Sequence, residues 1–209
     1  NAYKYHGFEE RGKEFDSRAA LVFWAGDLTE MTVTALARAA GVKIVGTGFN
    51  QIRIELDIDG NKVTGRPDGL VIDNGVHLLE VKSMPSYRYQ AFEDGVIDEA
   101  YLAQVQISMD ALGLKTCIFV AQNKDAGVLG EQLIHLDPDY VERVKENCRA
   151  VFKSTKEELP ERPYKPNEKG LLPWNCLYCA HHETCWPEAK KVLVGSSYKL
   201  KVFEKVEVK

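Results

Sequence analysis

Val76-His77-Leu78-Leu79-Glu80-Val81-Lys82 follows Leu70-Val71-Ile72 across Asp73-Asn74-Gly75. Two apolar runs separated by an Asn-Gly turn read as a β-hairpin. Side chains alternate along a strand, so Glu80 and Lys82 point to one face. Pairing within the hairpin brings Asp68, at the head of the first strand in Gly65-Arg66-Pro67-Asp68-Gly69, close to Glu80 near the end of the second. Two carboxylates and a backbone carbonyl, for which Val81 is the candidate, make a hard oxygen site suited to Mg²⁺ or Mn²⁺. An ion there orients a water, helps to deprotonate it and neutralises charge on a phosphate. Lys82 would position the water or stabilise charge in the transition state. The pattern therefore points to phosphodiester hydrolysis. The plainer alternative gives Asp68 a turn role and makes Glu80 and Lys82 an exposed strand edge, because Asp-x(11)-Glu-x-Lys alone is not a specific signal.

Two flanking segments add to it. Upstream, Phe23-Trp24-Ala25-Gly26-Asp27-Leu28-Thr29-Glu30 runs into a helix whose expected buried stripe is Leu28, Met31, Ala35 and Ala39, with Glu30 beside that stripe. Downstream, Tyr101-Leu102-Ala103-Gln104-Val105-Gln106-Ile107-Ser108-Met109 reads as a helix that buries Leu102, Val105, Met109 and Leu112. Tyr101, Gln104 and Ser108 form its polar face, from which Gln104 could reach a water or a phosphate. Taken singly, each is an ordinary amphipathic helix.

Taken in order, Gly-x-x-x-Glu, Asp-Gly, Glu-x-Lys and Tyr-x-Ala-Gln-Val-Gln resemble the PD-(D/E)XK nuclease superfamily. Within it they are most similar to lambda exonuclease and the RecB-type (YqaJ-like) domains, over roughly residues 18 to 125. The resemblance implies a restriction-endonuclease-like core. It makes Glu30, Asp68 and Glu80 acidic site residues, Val81 a carbonyl donor, Lys82 the catalytic lysine and Gln104 the helix glutamine near the site. It also implies a Mg²⁺- or Mn²⁺-dependent deoxyribonuclease, an exonuclease of recombination, repair or phage replication. DNA ends would be its substrate, with a homo-oligomer and a recombination protein as possible partners. RecB-type domains often place a histidine in the first helix. Here Thr29 and its neighbours stand instead.

Three of the five cysteines lie within ten residues, Cys176, Cys179 and Cys185, as C-x2-C-x5-C. Three readings are open. A disulfide fits poorly with a chain that lacks secretory features. Zinc could use the three thiolates with His181 or His182. An iron–sulfur cluster would need a fourth ligand from elsewhere. The triplet resembles that of the CRISPR-associated and AddB-type iron–sulfur nucleases, which implies a [4Fe-4S] cluster. In those the fourth cysteine precedes the nuclease core, whereas this chain has none before Cys117. His6 and Cys148 are the candidate substitutes. Either metal would staple the C-terminal segment rather than take part in hydrolysis.

Length and composition fit a single soluble domain. The chain has 209 residues, 44% of them hydrophobic, and no apolar run long enough to span a membrane. A cytoplasmic location is expected, in the host cytoplasm if the gene is viral. A net charge of −4 does not exclude DNA binding, since carboxylates that hold metal raise the acidic count while local bases meet phosphate. Arg11, Arg18, Arg66, Lys82 and Arg88 are candidate phosphate contacts.

The expected architecture is a central mixed β-sheet flanked by helices, with a metal-stapled C-terminal segment. Helices are expected at 9–22, 27–40, 98–112 and 138–157. Strands are expected at 50–58, 62–66, 69–73, 76–82, 115–121 and 131–136. Residues 1–158 would form the core. Residues 159–209 would wrap it as part of the same domain, with an alternating terminal strand through Tyr198, Leu200, Val202, Val206 and Val208 that closes the sheet edge or pairs with another subunit. Two other uses of the same residues stand beside the exonuclease reading. One is an endonuclease or a CRISPR-adaptation nuclease. The other is a non-catalytic nucleic-acid-binding module with a zinc knuckle.

Overall fold

The computed structural model describes residues 2–8 and 17–203. The chain forms two compact units, one spanning Phe15–Arg149 and the other drawn from Asn1–Glu14 and Ala150–Lys209. Arg11, Val206 and Val208 lie outside the described residues, as does the first half of the helix expected at 9–22.

The second unit opens with the short helix α1 (Ala2–Tyr5). The larger unit begins with α2 (Ser17–Ala39), a single helix that passes through Gly26 and Asp27 without a break. Strand β1 (Lys43–Val45) follows. The hairpin of β2 (Ile54–Ile58) and β3 (Asn61–Gly65) stands apart as a two-stranded sheet. Its turn places Asp59 at φ 52° and Gly60 at φ 81°, the left-handed pair that a tight hairpin needs. Then come β4 (Gly69–Ile72), β5 (Val76–Met84), α3 (Ser86–Glu93), α4 (Glu99–Leu112), β6 (Thr116–Asn123), β7 (Val128–His135) and α5 (Pro138–Lys153).

Five strands make the central sheet in the order β1-β4-β5-β6-β7. All neighbours are antiparallel except β5 and β6, which run parallel. A parallel pair needs a crossover, and α3 and α4 supply it. Asp98 caps α4 by accepting from the Ala100 N–H at 3.0 Å, and Gly113 ends it in the left-handed conformation. The expected mixed sheet flanked by helices is the architecture found.

Strand β5 is buried on both faces, as a central strand beside a parallel neighbour should be. Leu78 and Met84 pack with Phe92, Val105, Met109 and Phe119 on the α4 side. Leu79 and Val81 pack with Val33, Ile44 and Val71 on the α2 side. This corrects the expected orientation of α2. Thr29, Val33 and Thr34 are buried, while Leu28, Met31, Ala35 and Ala39 are exposed. On α4, Gln106 and Ser108 are buried beside Val105 and Met109. Ser108 therefore belongs to the packed side, not to a polar face.

The smaller unit holds α6 (Trp174–Tyr178), α7 (His182–Cys185) and a hairpin of β8 (Ala189–Val194) with β9 (Ser197–Val202). Its core is Leu172, Cys176, Trp186 and Leu200. The alternating tail residues Tyr198, Leu200 and Val202 thus pair within this hairpin, in a sheet of its own, and do not extend the central one. Among the described residues no helix is long and apolar enough to cross a membrane.

Candidate active site and cysteine cluster

The β4–β5 register sets Gly69 opposite Leu79, which leaves Asp68 level with Glu80 where β4 begins. One Asp68 oxygen, Oδ2, accepts the Val81 backbone N–H at 2.7 Å. Glu80 lies in the middle of the buried run of β5 and has no solvent exposure. Its Oε1 is ion-paired with Lys82 Nζ on the same strand face, as the alternation requires. Its Oε2 is buried without a hydrogen-bond partner. Buried polar oxygens are nearly always satisfied, so this one marks a place where a donor or a cation belongs.

The electrostatics follow from that burial. Desolvation, reinforced by the charge of Asp68, pushes Glu80 up to about 7 against the pull of Lys82. Desolvation also raises Asp68, although the Val81 amide and Lys82 oppose it. Burial alone would lower Lys82, but the charge and hydrogen bond of Glu80 outweigh it and the net shift is upward. The Lys82 ammonium also lies 5.3 Å from the centre of the Tyr101 ring.

Helix α2 brings the third acid. Glu30 is half-buried, and its carboxyl is raised by burial and by the charge of Asp68, while the Gly48 amide and Gln51 pull it down. Gln51 Nε2 donates to its two oxygens at 3.4 and 3.5 Å. Asp27, one turn earlier, raises both Glu30 and Asp68. Sequence reasoning passed over Asp27, although its spacing of three from Glu30 puts both on one side of the helix. Thr29 is not a site group. Its hydroxyl, buried between α2 and the sheet, donates to Gln122 Oε1 at 2.9 Å.

The two glutamines of α4 sit in different surroundings. Gln104 is exposed, one turn beyond Tyr101. Gln106 is 2% exposed and ties β7 to the start of α5. It donates to the His135 carbonyl at 2.8 Å and accepts the Asp137 N–H at 2.8 Å. His77 is likewise held, with its ring between Thr116 Oγ1 at 2.6 Å and the Asp73 carbonyl at 2.9 Å.

Donor chemistry at Asp68 and Glu80 suits a hard divalent cation. The free Oε2 of Glu80 and the second oxygen of Asp68 are the groups left to bind one. As they stand, no three His, Cys, Asp or Glu side chains among the described residues are gathered into a metal-holding group. Glu30 therefore senses Asp68 electrostatically without closing a three-carboxylate cage around it.

Within the smaller unit Cys176, Cys179 and Cys185 form no disulfide. Burial, with Cys185 and Cys179 nearby, raises Cys176. His181 is 3% exposed, and its Nδ1 has no hydrogen-bond partner. Its ring stacks on Tyr3 at 5.7 Å between centroids. Burial and a hydrogen bond with Cys185 push the Tyr3 phenol up to about 12. His182 Nδ1 donates to the Cys179 carbonyl at 2.9 Å, which turns that ring toward the backbone. His6, one candidate fourth ligand, bonds Ser154 Oγ at 2.8 Å instead. The cysteine triplet thus has neighbours of the right type without forming a closed ligand set.

No protein-family model matches the chain, and no curated protein matches it significantly. Solved structures do match its fold. One is that of SSO0001, with 18% identity and a TM-score of 0.51 over 80% of this chain and 69% of that one. Another is an alkaline exonuclease (LHK-Exo) from Laribacter hongkongensis, with 21% identity and a TM-score of 0.50 over 62% of this chain and 66% of that one. This chain thus spans about two thirds of each. At such identities the likeness is one of fold, and the fold is one that a solved exonuclease also has.

Proposed function

We propose that the chain is a Mg²⁺- or Mn²⁺-dependent deoxyribonuclease that works as an exonuclease in DNA-end processing. The observation that carries this reading is the Glu80 carboxylate. It is fully buried, paired by Lys82 on one oxygen, orphaned on the other, and level with Asp68 across the hairpin. A buried carboxylate held this way is costly unless something positive completes it. Asp68, Glu80 and the Val81 carbonyl would hold the ion, with Glu30 as a further acid. When bound, the ion supplies Lewis acidity toward the phosphate and a lowered water pKa.

The chain's own groups do the rest. The Val81 amide fixes one Asp68 oxygen and leaves the other for a cation. Lys82, held by Glu80 and backed by the Tyr101 ring, presents a fixed positive charge to an incoming phosphate. Gln104, exposed on the Tyr101 side of α4, is the group that would orient a water or a phosphate oxygen. At the cysteine cluster we propose a structural metal centre, [4Fe-4S] with zinc as the alternative. The three thiols and the unpartnered His181 nitrogen support it.

Digestion of end-labelled linear DNA with Mg²⁺ or Mn²⁺ tests the activity, with Glu80→Ala as the control. Loss of cleavage in the variant is expected. Equal cleavage by both proteins would remove the site from the reaction. Metal analysis and the visible spectrum of protein purified without air distinguish iron–sulfur from zinc. A protein with neither metal would refute the cluster.

A further inference from the structure

We infer that Phe49 is a base-stacking residue at the mouth of the candidate active site, and that the preferred substrate is DNA with an unpaired base at or near its end. This rests on the nuclease reading above. Phe49 occupies the middle of a one-turn 3-10 helix, Gly48–Asn50. It is more exposed than any other large hydrophobic residue described, at 111% of its reference area. A single exposed apolar side chain is ordinary by itself. The placement of this one is not, because Gly48 just before it and Gln51 two residues after it both act on Glu30. The Gly48 amide acts on the Glu30 carboxylate, and Gln51 donates to both of its oxygens.

The turn is also stiff. The Asn50 N–H bonds the Thr47 carbonyl at 3.1 Å, and the Gln51 N–H bonds the Gly48 carbonyl at 3.2 Å. Arg38 clamps its approach, donating to Thr47 Oγ1 at 2.8 Å and to the Ile44 carbonyl at 3.1 Å. Gly46 stands at φ 68°, where a Cβ would come within 2.9 Å of Ile52. A fully exposed ring is therefore held out on a hydrogen-bonded turn that is tied to Glu30. Aromatic faces stack on any base, and such stacking contributes measurably to single-strand binding. In a duplex, base faces are covered by their neighbours, so only an end or an unpaired strand offers one. Phe49 would select that end without reading its sequence.

Binding decides the matter without turnover. The anisotropy of a fluorescein-labelled oligo(dT) strand and of a blunt hairpin duplex would be titrated with wild-type, Phe49→Ala and Phe49→Trp proteins, with Ca²⁺ in place of Mg²⁺. Phe49→Ala is expected to weaken single-strand binding by on the order of tenfold, with a much smaller effect on the duplex, while Phe49→Trp restores it. In Mg²⁺ the alanine variant should raise KM on the single strand and leave kcat nearly unchanged. Wild-type affinity in Phe49→Ala, or an equal loss on both DNAs, overturns the inference and leaves the nuclease reading in place. Failure of the wild-type protein both to bind and to cut DNA overturns both.

Discussion

The Asp68 carboxylate accepts the backbone N–H of Val81 at 2.7 Å, which fastens the first acid of the candidate site to the strand that carries the second. Asp68 is therefore oriented by the hairpin itself, one oxygen committed to the backbone and the other available. Asp68→Asn keeps the shape and removes the charge. It is expected to lower cleavage by about a hundredfold or more while the melting temperature stays close to wild type. Near-normal turnover measured on linear DNA would separate Asp68 from the chemistry.

Glu80 gives a stability signature that needs no substrate. Its folded-state pKa of about 7 stands above the ordinary 4.5, so the folded protein binds this proton more tightly than the unfolded chain does. The stabilisation is full below about 4.5 and is lost as pH rises through about 7. In EDTA, thermal stability should fall between these two values, and Glu80→Gln should flatten the fall. A divalent ion should also flatten it by taking the proton's place. Melting curves from pH 5 to 8 check this, and a wild-type profile identical to that of Glu80→Gln would contradict it.

Lys82 leaves a complementary mark. Without it, Glu80 must either hold a buried charge unaided or keep its proton. Lys82→Ala is therefore expected to destabilise the protein more at pH 8 than at pH 5, because the unpaired buried charge exists only at the higher pH. Cleavage should be lost at both. Chemical denaturation at the two pH values reads the difference, and an equal loss at both would show that the pairing with Glu80 is not what Lys82 contributes.

The glutamines of α4 should part cleanly. Gln106→Ala removes two 2.8 Å hydrogen bonds from a buried site, a loss of about 1–3 kcal/mol. Gln104→Ala, at an exposed position, should alter stability by no more than about 0.5 kcal/mol and lower cleavage instead. Paired unfolding and activity measurements on the two variants test this. Reversal of the pattern would place the functional glutamine at 106.

What could be read from the chain follows from where local rules suffice. The hairpin of β4 and β5 was legible because alternation and an Asn-Gly turn act over a few residues, and Asn74 at φ 47° confirms the turn chemistry. The juxtaposition of Asp68 and Glu80 came with it, since register follows the turn. Helix α2 was harder. Gly26 and Asp27 look like a break, yet the helix continues. Its more apolar stripe, including Leu28 and Met31, is the exposed one. Burial went to Thr29, Val33 and Thr34, an orientation in which Glu30 lies within reach of the Asp68 charge. Strand β1 spans three residues and α3 only eight, too short for periodicity to reveal. Gln106 was not recognisable as structural because its partners lie 29 and 31 residues away.

The most direct test is time-resolved digestion of end-labelled linear DNA and covalently closed circular DNA in Mg²⁺ or Mn²⁺, with Glu80→Ala in parallel. Degradation of the linear form alone, absent in the variant, is the expected result. Cutting of circles would make the enzyme an endonuclease. No cleavage of either form with either metal, from protein whose cysteine cluster is intact, would contradict the account.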